Sequence, residues 1–229
     1  SATANDVGFI SNLIDTLISK YEIDTNRIYC CGFGQGGAFS YKLAGEISNR
    51  ITAVASVAGG MCEAMLPTSN PNRNIPTLHI HGTEDNYEPW EGTDDPLYIL
   101  SVDETINHWA ELNNCSPFYS SISLPDLDAS DDCTVEKRCF YTNDGDTTVI
   151  LLKVNNGGHN WPGASENHSW EGNKTGDIDA NYEIWNFFGN KIITVKICNR
   201  SITGTLLYDC CSGYSKACGS ICNLSGYFQ

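Results

Sequence analysis

A chain of 229 residues with 41% hydrophobic and 10% aromatic side chains has enough apolar mass for a buried core, which excludes wholesale disorder. Asp and Glu outnumber Lys and Arg 28 to 13, and the net charge of −15 repels phosphate backbones and excludes nucleic acid as a partner. Apolar runs are only a few residues long, so no membrane-spanning helix is expected, and no charged-then-apolar leader stands at Ser1.

The first predicted element is a helix. Phe9, Ile10, Leu13, Ile14, Leu17, Ile18 and Tyr21 recur at three- and four-residue steps after Asn5 and Asp6, which suit a helix N-terminus, and the apolar face is expected to be buried. Arg27 to Cys31 reads as a short buried strand, and a second helix is predicted from about Gly36 to Glu46. Strands follow at Ile51 to Ala58 and Ile75 to Ile80, separated by a Pro- and Asn-rich loop over 65–76. A helix near 102–112, β-like stretches near 117–124 and 134–141, a strand from Thr147 to Val154 and a helix from Ile178 to Phe188 complete the series. The alternation predicts an α/β fold with a mostly parallel sheet flanked by helices. After Asn190 the pattern is lost. Residues 191–229 hold five of the eleven cysteines and four basic residues against Asp209 alone, so a boundary is drawn between a packed domain (1–190) and a Cys-rich tail (191–229).

So many cysteines are uncommon in reducing compartments, which points to a secreted or periplasmic protein with disulfides. Their spacing offers no zinc ribbon: Cys30 and Cys31 are adjacent, as are Cys210 and Cys211, and Cys218 and Cys222 lack a second knuckle. His79 and His81 share one strand face without further histidine ligands, and the acidic group Asp126, Asp128, Asp131 and Asp132 lacks the glycine and distal glutamate of a calcium loop. No metal and no cofactor is expected.

Two chemistries compete for Gly32-Phe33-Gly34-Gln35-Gly36-Gly37, between the first strand and the second helix. Gly32, Gly34 and Gly37 match the dinucleotide fingerprint, but the stretch from Ile51 to Gly59, where an acid should hold the ribose, contains none. Gly32 to Gly36 also has the form of a nucleophile elbow, G-x-S-x-G, with Gly34 in the serine slot. The rest of a triad follows in the expected order: Asp85 after the 75–80 strand, then His159 in a Gly-rich loop after the last strand.

With these pieces, residues 6–188 resemble the secreted polyhydroxybutyrate-depolymerase-like and feruloyl-esterase-like α/β-hydrolases. The resemblance is carried by Asp6 to Ile10, Asp24 to Tyr29, the glycine turn, Val57 to Gly59, His81-Gly-Thr-Glu-Asp85, Gly157-Gly-His-Asn-Trp-Pro-Gly163, Asp177 to Ala180 and Ile184 to Phe188. It implies Asp85 and His159 as triad acid and base, Gly34 as the vacated nucleophile position, the backbone N–H of Gln35 as an oxyanion donor, and a disulfide between Cys115 and Cys139. It further implies an incomplete hydrolase fold that lacks the first strands and, with them, half of the oxyanion hole. The nucleophile strand would then expose an apolar edge, to be covered by a partner chain or by a missing N-terminal segment.

A member of this family uses serine chemistry on a small-molecule or polymer-borne ester, with His159 as base and Asp85 holding its tautomer. With Gly34 no acyl-enzyme forms, and no esterase turnover is expected. Trp161 and Trp90 either form an aromatic wall for the substrate or pack the loops. A binding module that keeps the pocket without turnover, and a dinucleotide-binding enzyme, are the other two readings.

Overall fold

The computed structural model describes residues 5–94, 98–165 and 170–189. The tail 191–229 lies outside these residues.

In chain order the elements are α1 (Asp6–Lys20), β1 (Tyr29–Phe33), α2 (Gln35–Glu46), β2 (Ala53–Val57), a 3-10 helix (Glu63–Thr68), β3 (Thr77–Gly82), α3 (Val102–Leu112), β4 (Cys115–Ser123), β5 (Thr134–Thr142), β6 (Thr147–Asn155) and α4 (Ala180–Gly189). One mixed sheet runs β1-β2-β3-β6-β5-β4. The pairs β1–β2, β2–β3 and β3–β6 are parallel, and β5–β6 and β4–β5 antiparallel. The Pro-rich stretch taken as loop begins inside the 3-10 helix, whose last turn contains Pro67.

Strands β2 and β3 are buried along their whole length because helices cover both faces. Ala53, Ala55, Val57, Leu78, Ile80, Ile150, Leu152 and Val154 meet Ile184, Phe187 and Phe188 of α4 on one face. Val54, Leu151 and Val149 meet Tyr41 and Leu43 of α2 and Ile106 and Trp109 of α3 on the other. Ser101 caps α3 in a reciprocal box: its hydroxyl accepts from Glu104 N–H at 3.1 Å while the Glu104 carboxylate accepts from Ser101 N–H at 2.9 Å.

Helix α1 departs from expectation. Of its apolar stripe only Ile14 is buried, whereas Phe9, Leu13, Leu17 and Ile18 are exposed, because among the described residues little packs on that side. Beside it β1 is the end strand of the described sheet. An apolar groove of about 500 Å³ runs between α1, β1 and α4, lined by Leu17, Ile18, Tyr29, Ile184 and Trp185 among others.

The implied Cys115–Cys139 bridge does not hold in this sheet. Cys115 stands opposite Thr142 and Cys139 opposite Ser120, an offset of three residues along β5. At about 3.4 Å rise per residue their Cα atoms lie roughly 10 Å apart along the ladder, beyond the ~7 Å a disulfide spans. They also face opposite ways: Cys139 lies in the α4-side core, and Cys115 packs toward α3 with its Sγ 2.9 Å from Thr148 Oγ1.

Candidate active site

The glycine turn is an elbow. β1 continues through Gly34 N–H, which donates to Val57 C=O at 2.9 Å, and α2 begins at the next residue, with Ala38 N–H donating to Gly34 C=O at 3.0 Å. Reversal within one residue forces Gly34 to φ 52°, ψ −122°, a conformation that L side chains rarely adopt. The flanking glycines are not equivalent. A Cβ on Gly32 would stand 2.2 Å from the Gly36 carbonyl carbon, and one on Gly37 2.2 Å from Ser56 Oγ, whereas one on Gly36 meets nothing within 4 Å. Close approach of strand and helix therefore demands Gly32 and Gly37, and the motif's last glycine is sterically free.

The loop after β3 brings the carboxylate. Asp85 Oδ1 accepts from the N–H groups of Tyr87 (2.8 Å) and Glu88 (2.9 Å), so the carboxylate nucleates its own turn. Two backbone bonds tie this loop to the end of β6 and the loop after it: Thr83 N–H to Val154 C=O (2.9 Å) and Glu84 N–H to Gly157 C=O (2.8 Å). Gly158 N–H and Asn160 Nδ2 both donate to Asn173 C=O, at 2.8 and 2.7 Å, and fasten the second loop from behind. Gly157 and Gly158 serve close packing rather than loop freedom, since a Cβ on Gly158 would stand 2.0 Å from Glu171 C=O.

Between these loops His159 Nδ1 lies 2.8 Å from Asp85 Oδ2. An ionised carboxylate only accepts, so Nδ1 carries the proton and Nε2 presents a lone pair. A Cβ placed on Gly34 would lie 3.4 Å from that Nε2 and 3.5 Å from Cε1. Gly34, Asp85 and His159 thus meet at one point, with the Asp85 side chain fully buried and the His159 side chain 11% exposed. Gln35 stands at the first position of α2, where a backbone N–H has no intrahelical acceptor and the helix dipole is positive. Its N–H is therefore available to an oxyanion. Glu88 is a further carboxyl that feels the charges of Asp85 and His159. Its Oε2 accepts from Gly60 N–H at 3.4 Å, and burial pushes its pKa up.

The two tryptophans separate. Trp161 is half-buried and meets the Phe33 ring edge-on at 6.4 Å, while Phe33 lies 4.6 Å from the His159 ring. Trp90 is only 8% exposed. It stands edge-on to His81 at 6.1 Å, with Lys153 Nζ 5.1 Å from its ring centre, so it seals the interior and does not share a wall with Trp161. Missed from sequence were Phe33, Tyr87 and Trp170. Tyr87 lies 5.2 Å from the His159 ring and 5.3 Å from Trp170, and both Tyr87 and Trp170 are more than half exposed. Only the positions of Phe33 and Tyr87, one residue from Gly34 and two from Asp85, signalled this rim. Among the described residues no group of three His, Cys, Asp or Glu side chains is placed to hold a metal, and no helix is long and apolar enough to cross a membrane.

Comparison with known proteins finds similarity to esterases. Residues 1–95 match the family model described as Phospholipase/Carboxylesterase. The chain is 38% identical over 90 residues to the bifunctional acetylxylan esterase/xylanase of Neocallimastix patriciarum, covering 38% of this chain and 13% of that protein. To feruloyl esterase B of Piromyces equi it is 27% identical over 164 residues, covering 68% of this chain and 29% of the relative. The chain thus spans less than a third of either relative's length. The acetyl xylan esterase from Aspergillus awamori shares the fold, with a TM-score of 0.54 at 14% identity, covering 80% of this chain and 66% of that one. The chain is thus similar to these esterases over part of its length and shares the fold of the Aspergillus awamori enzyme.

Proposed function

We propose that this chain carries the acid–base half of a serine-type carboxylic ester hydrolase, acting in its lineage on feruloyl, acetyl-xylan or polyester-type esters, and that the chain with Gly34 is itself without esterase turnover. One observation carries the reading. Asp85, His159 and the space beside the Gly34 Cα stand in line, with contacts of 2.8 Å and 3.4 Å, around a backbone already bent as an elbow.

In the chemistry these residues serve, a hydroxyl at position 34 attacks the ester carbonyl while His159 Nε2 takes its proton. Asp85 holds the Nδ1–H tautomer and stabilises the imidazolium that forms. The Gln35 N–H at the positive end of α2 donates to the developing oxyanion. His159 then returns the proton to the leaving alcohol, and water repeats the cycle on the acyl-enzyme. Glycine supplies no hydroxyl, so the sequence stops before the first bond forms. Phe33, Tyr87, Trp161 and Trp170 offer flat apolar surface around the reacting atoms, which suits an aryl acyl group such as ferulate.

The esterase names of the relatives and the cysteine-rich composition support export to an oxidising compartment. A binding role with the pocket kept and turnover lost uses the same rim. The dinucleotide reading is disfavoured by His159, whose ring stands over the glycine turn where a pyrophosphate must approach. The test is Gly34→Ser assayed on methyl ferulate and p-nitrophenyl butyrate. Hydrolysis that appears with serine and disappears on adding His159→Ala supports the reading, and a folded, silent Gly34→Ser chain refutes it.

A further inference from the structure

Behind the Asp85 turn lies a row of buried polar groups that the proposed chemistry does not use. Tyr41 Oη is 2.5 Å from His79 Nδ1, His79 Nε2 is 2.9 Å from His81 Nδ1, and His81 Nε2 is 2.7 Å from Glu88 C=O. Tyr41 and His79 are fully buried and His81 is 2% exposed. The two imidazoles stack with their planes 5° apart, and the Trp90 edge closes the outer side.

The proton positions in this row follow by elimination. A carbonyl oxygen only accepts, so His81 Nε2 carries hydrogen. Burial pushes the pKa values of both His79 and His81 down, so each ring is neutral and holds one N–H. His81 Nδ1 is then an acceptor, His79 must donate from Nε2, and His79 Nδ1 must accept from the Tyr41 hydroxyl. The reverse polarity needs the Glu88 carbonyl to donate. The Ser56 hydroxyl, also beside Tyr41, gives its hydrogen to Gly59 C=O at 2.7 Å and so donates none to this row. With neutral rings only one arrangement puts one hydrogen in each contact.

We propose that Tyr41, His79 and His81 form a positioning relay for the triad acid, in which His81 pins the Glu88 carbonyl and so holds the turn that presents Asp85 to His159. The link is short. Glu88 and Tyr87 give their N–H groups to Asp85 Oδ1, His159 takes Oδ2, and His81 Nε2 stands 3.5 Å from that same Oδ2. The 85–88 turn is thus held at its carboxylate and at its last carbonyl. Without the His81 N–H the part-buried Glu88 carbonyl loses this partner, and the turn gains reason to open toward water. The groups facing His81 are His79, Asp85, Glu88, His159 and Trp90. None of these touches the reacting atoms through His81, which acts only by placing Asp85. The relay rests on the triad reading of Asp85 and His159 but not on turnover.

The test uses the full chain with its native Gly34, labelled with ¹⁵N-histidine, and reads tautomers and N–H exchange by long-range ¹H–¹⁵N correlation. The expected result is an Nε2–H tautomer at His79 and His81, and a protected Nδ1–H at His159. His81→Leu is expected to raise solvent exchange of the His159 Nδ1–H by about tenfold or more. His81→Gln, which keeps a donor near the Nε2 position, is expected to restore most of that protection. Tyr41→Phe removes the far end of the relay while keeping its ring, and is expected to give a smaller rise. An Nδ1–H tautomer at His81 overturns the proposal, as does an unchanged His159 signal in folded His81→Leu. Failure of His81→Gln to rescue assigns the effect to packing and also overturns it. Should His81→Leu not fold, the comparison of His81→Gln with Tyr41→Phe decides by the same signal. An altered His159 signal together with a silent Gly34→Ser chain would leave the relay standing and remove the ester reading.

Discussion

Replacing Gly34 by serine adds two atoms, and the structure sets what they do. The new Cβ falls 3.4 Å from His159 Nε2. One bond further, a staggered hydroxyl set off the line toward the ring lies about 2.7–3.0 Å from Nε2, the distance of a working hydrogen bond. Loss of a serine nucleophile costs on the order of 10⁶-fold in kcat where it has been measured in a serine protease, and loss of one oxyanion donor about 10²–10³-fold. With Gln35 N–H alone at the oxyanion in both chains, the second factor cancels from their ratio, and Gly34→Ser should exceed the native chain by up to about 10⁶-fold. The gain carries a stability cost. Serine must accept φ 52°, ψ −122°, a backbone strain of about 1–3 kcal/mol, so the melting temperature should fall as activity rises. Release of p-nitrophenol from the butyrate ester measures the first effect, a thermal melt the second, and fluorophosphonate labelling with mass analysis locates the reacting oxygen at residue 34. Adding Asp85→Asn should lower the gained rate by about 10⁴-fold, since an amide in place of the carboxylate favours the wrong imidazole tautomer. A folded Gly34→Ser chain that neither labels nor hydrolyses faster than its His159→Ala double variant refutes the argument from geometry.

Further expectations concern stability and surface. His79 and His81 have pKa values lowered by burial, so between their folded values and about 6.5 the unfolded chain binds more protons and stability falls as pH falls, by up to about 1.4 kcal/mol per pH unit for each ring. Glu88, raised by burial, works in the opposite sense above about 4.5, so Glu88→Gln should steepen the acid-side loss in urea melts across pH 5–7 and His79→Gln should flatten it. No such change on either substitution contradicts neutral buried rings. Gly37→Ala should destabilise by about 1–3 kcal/mol, because the new Cβ meets Ser56 Oγ, while Gly36→Ala, facing open space in α2, should be neutral or stabilising by up to about 1 kcal/mol. Equal effects at the two positions would dispose of the close-approach account. The groove between α1 and α4 should bind a hydrophobic dye through Leu17, Ile18 and Trp185, with Trp185→Lys reducing the fluorescence at least about twofold. A dye signal indifferent to that change locates the binding elsewhere.

The elements α1 to α4 and β1 to β6 were legible one by one because each is a local matter. The 3.6-residue stripe of α1, the Ser101 and Glu104 pair that starts α3, and the apolar runs of β2 and β3 act within a few residues of chain. Gly34, Asp85 and His159 were legible for a related reason: strand–loop–element punctuation marks the end of a strand, and parallel strands put those ends on one edge. Pairing and facing were not. Trp90 and Trp161 sit in similar loops, yet one fills the interior against His81 and the other borders Phe33. The register of β4 on β5 keeps Cys115 from Cys139, and no local pattern specifies a register across two strands. Phe33, Tyr87 and Trp170 become a rim only because the end of β1, the loop after β3 and the segment after β6 meet around His159. Local propensity and spacing are properties of a segment and can be read along it. Which side chains meet across the sheet is a property of the packed whole, decided by burial and steric fit among residues as far apart as Tyr41 and His79 or Asp85 and His159.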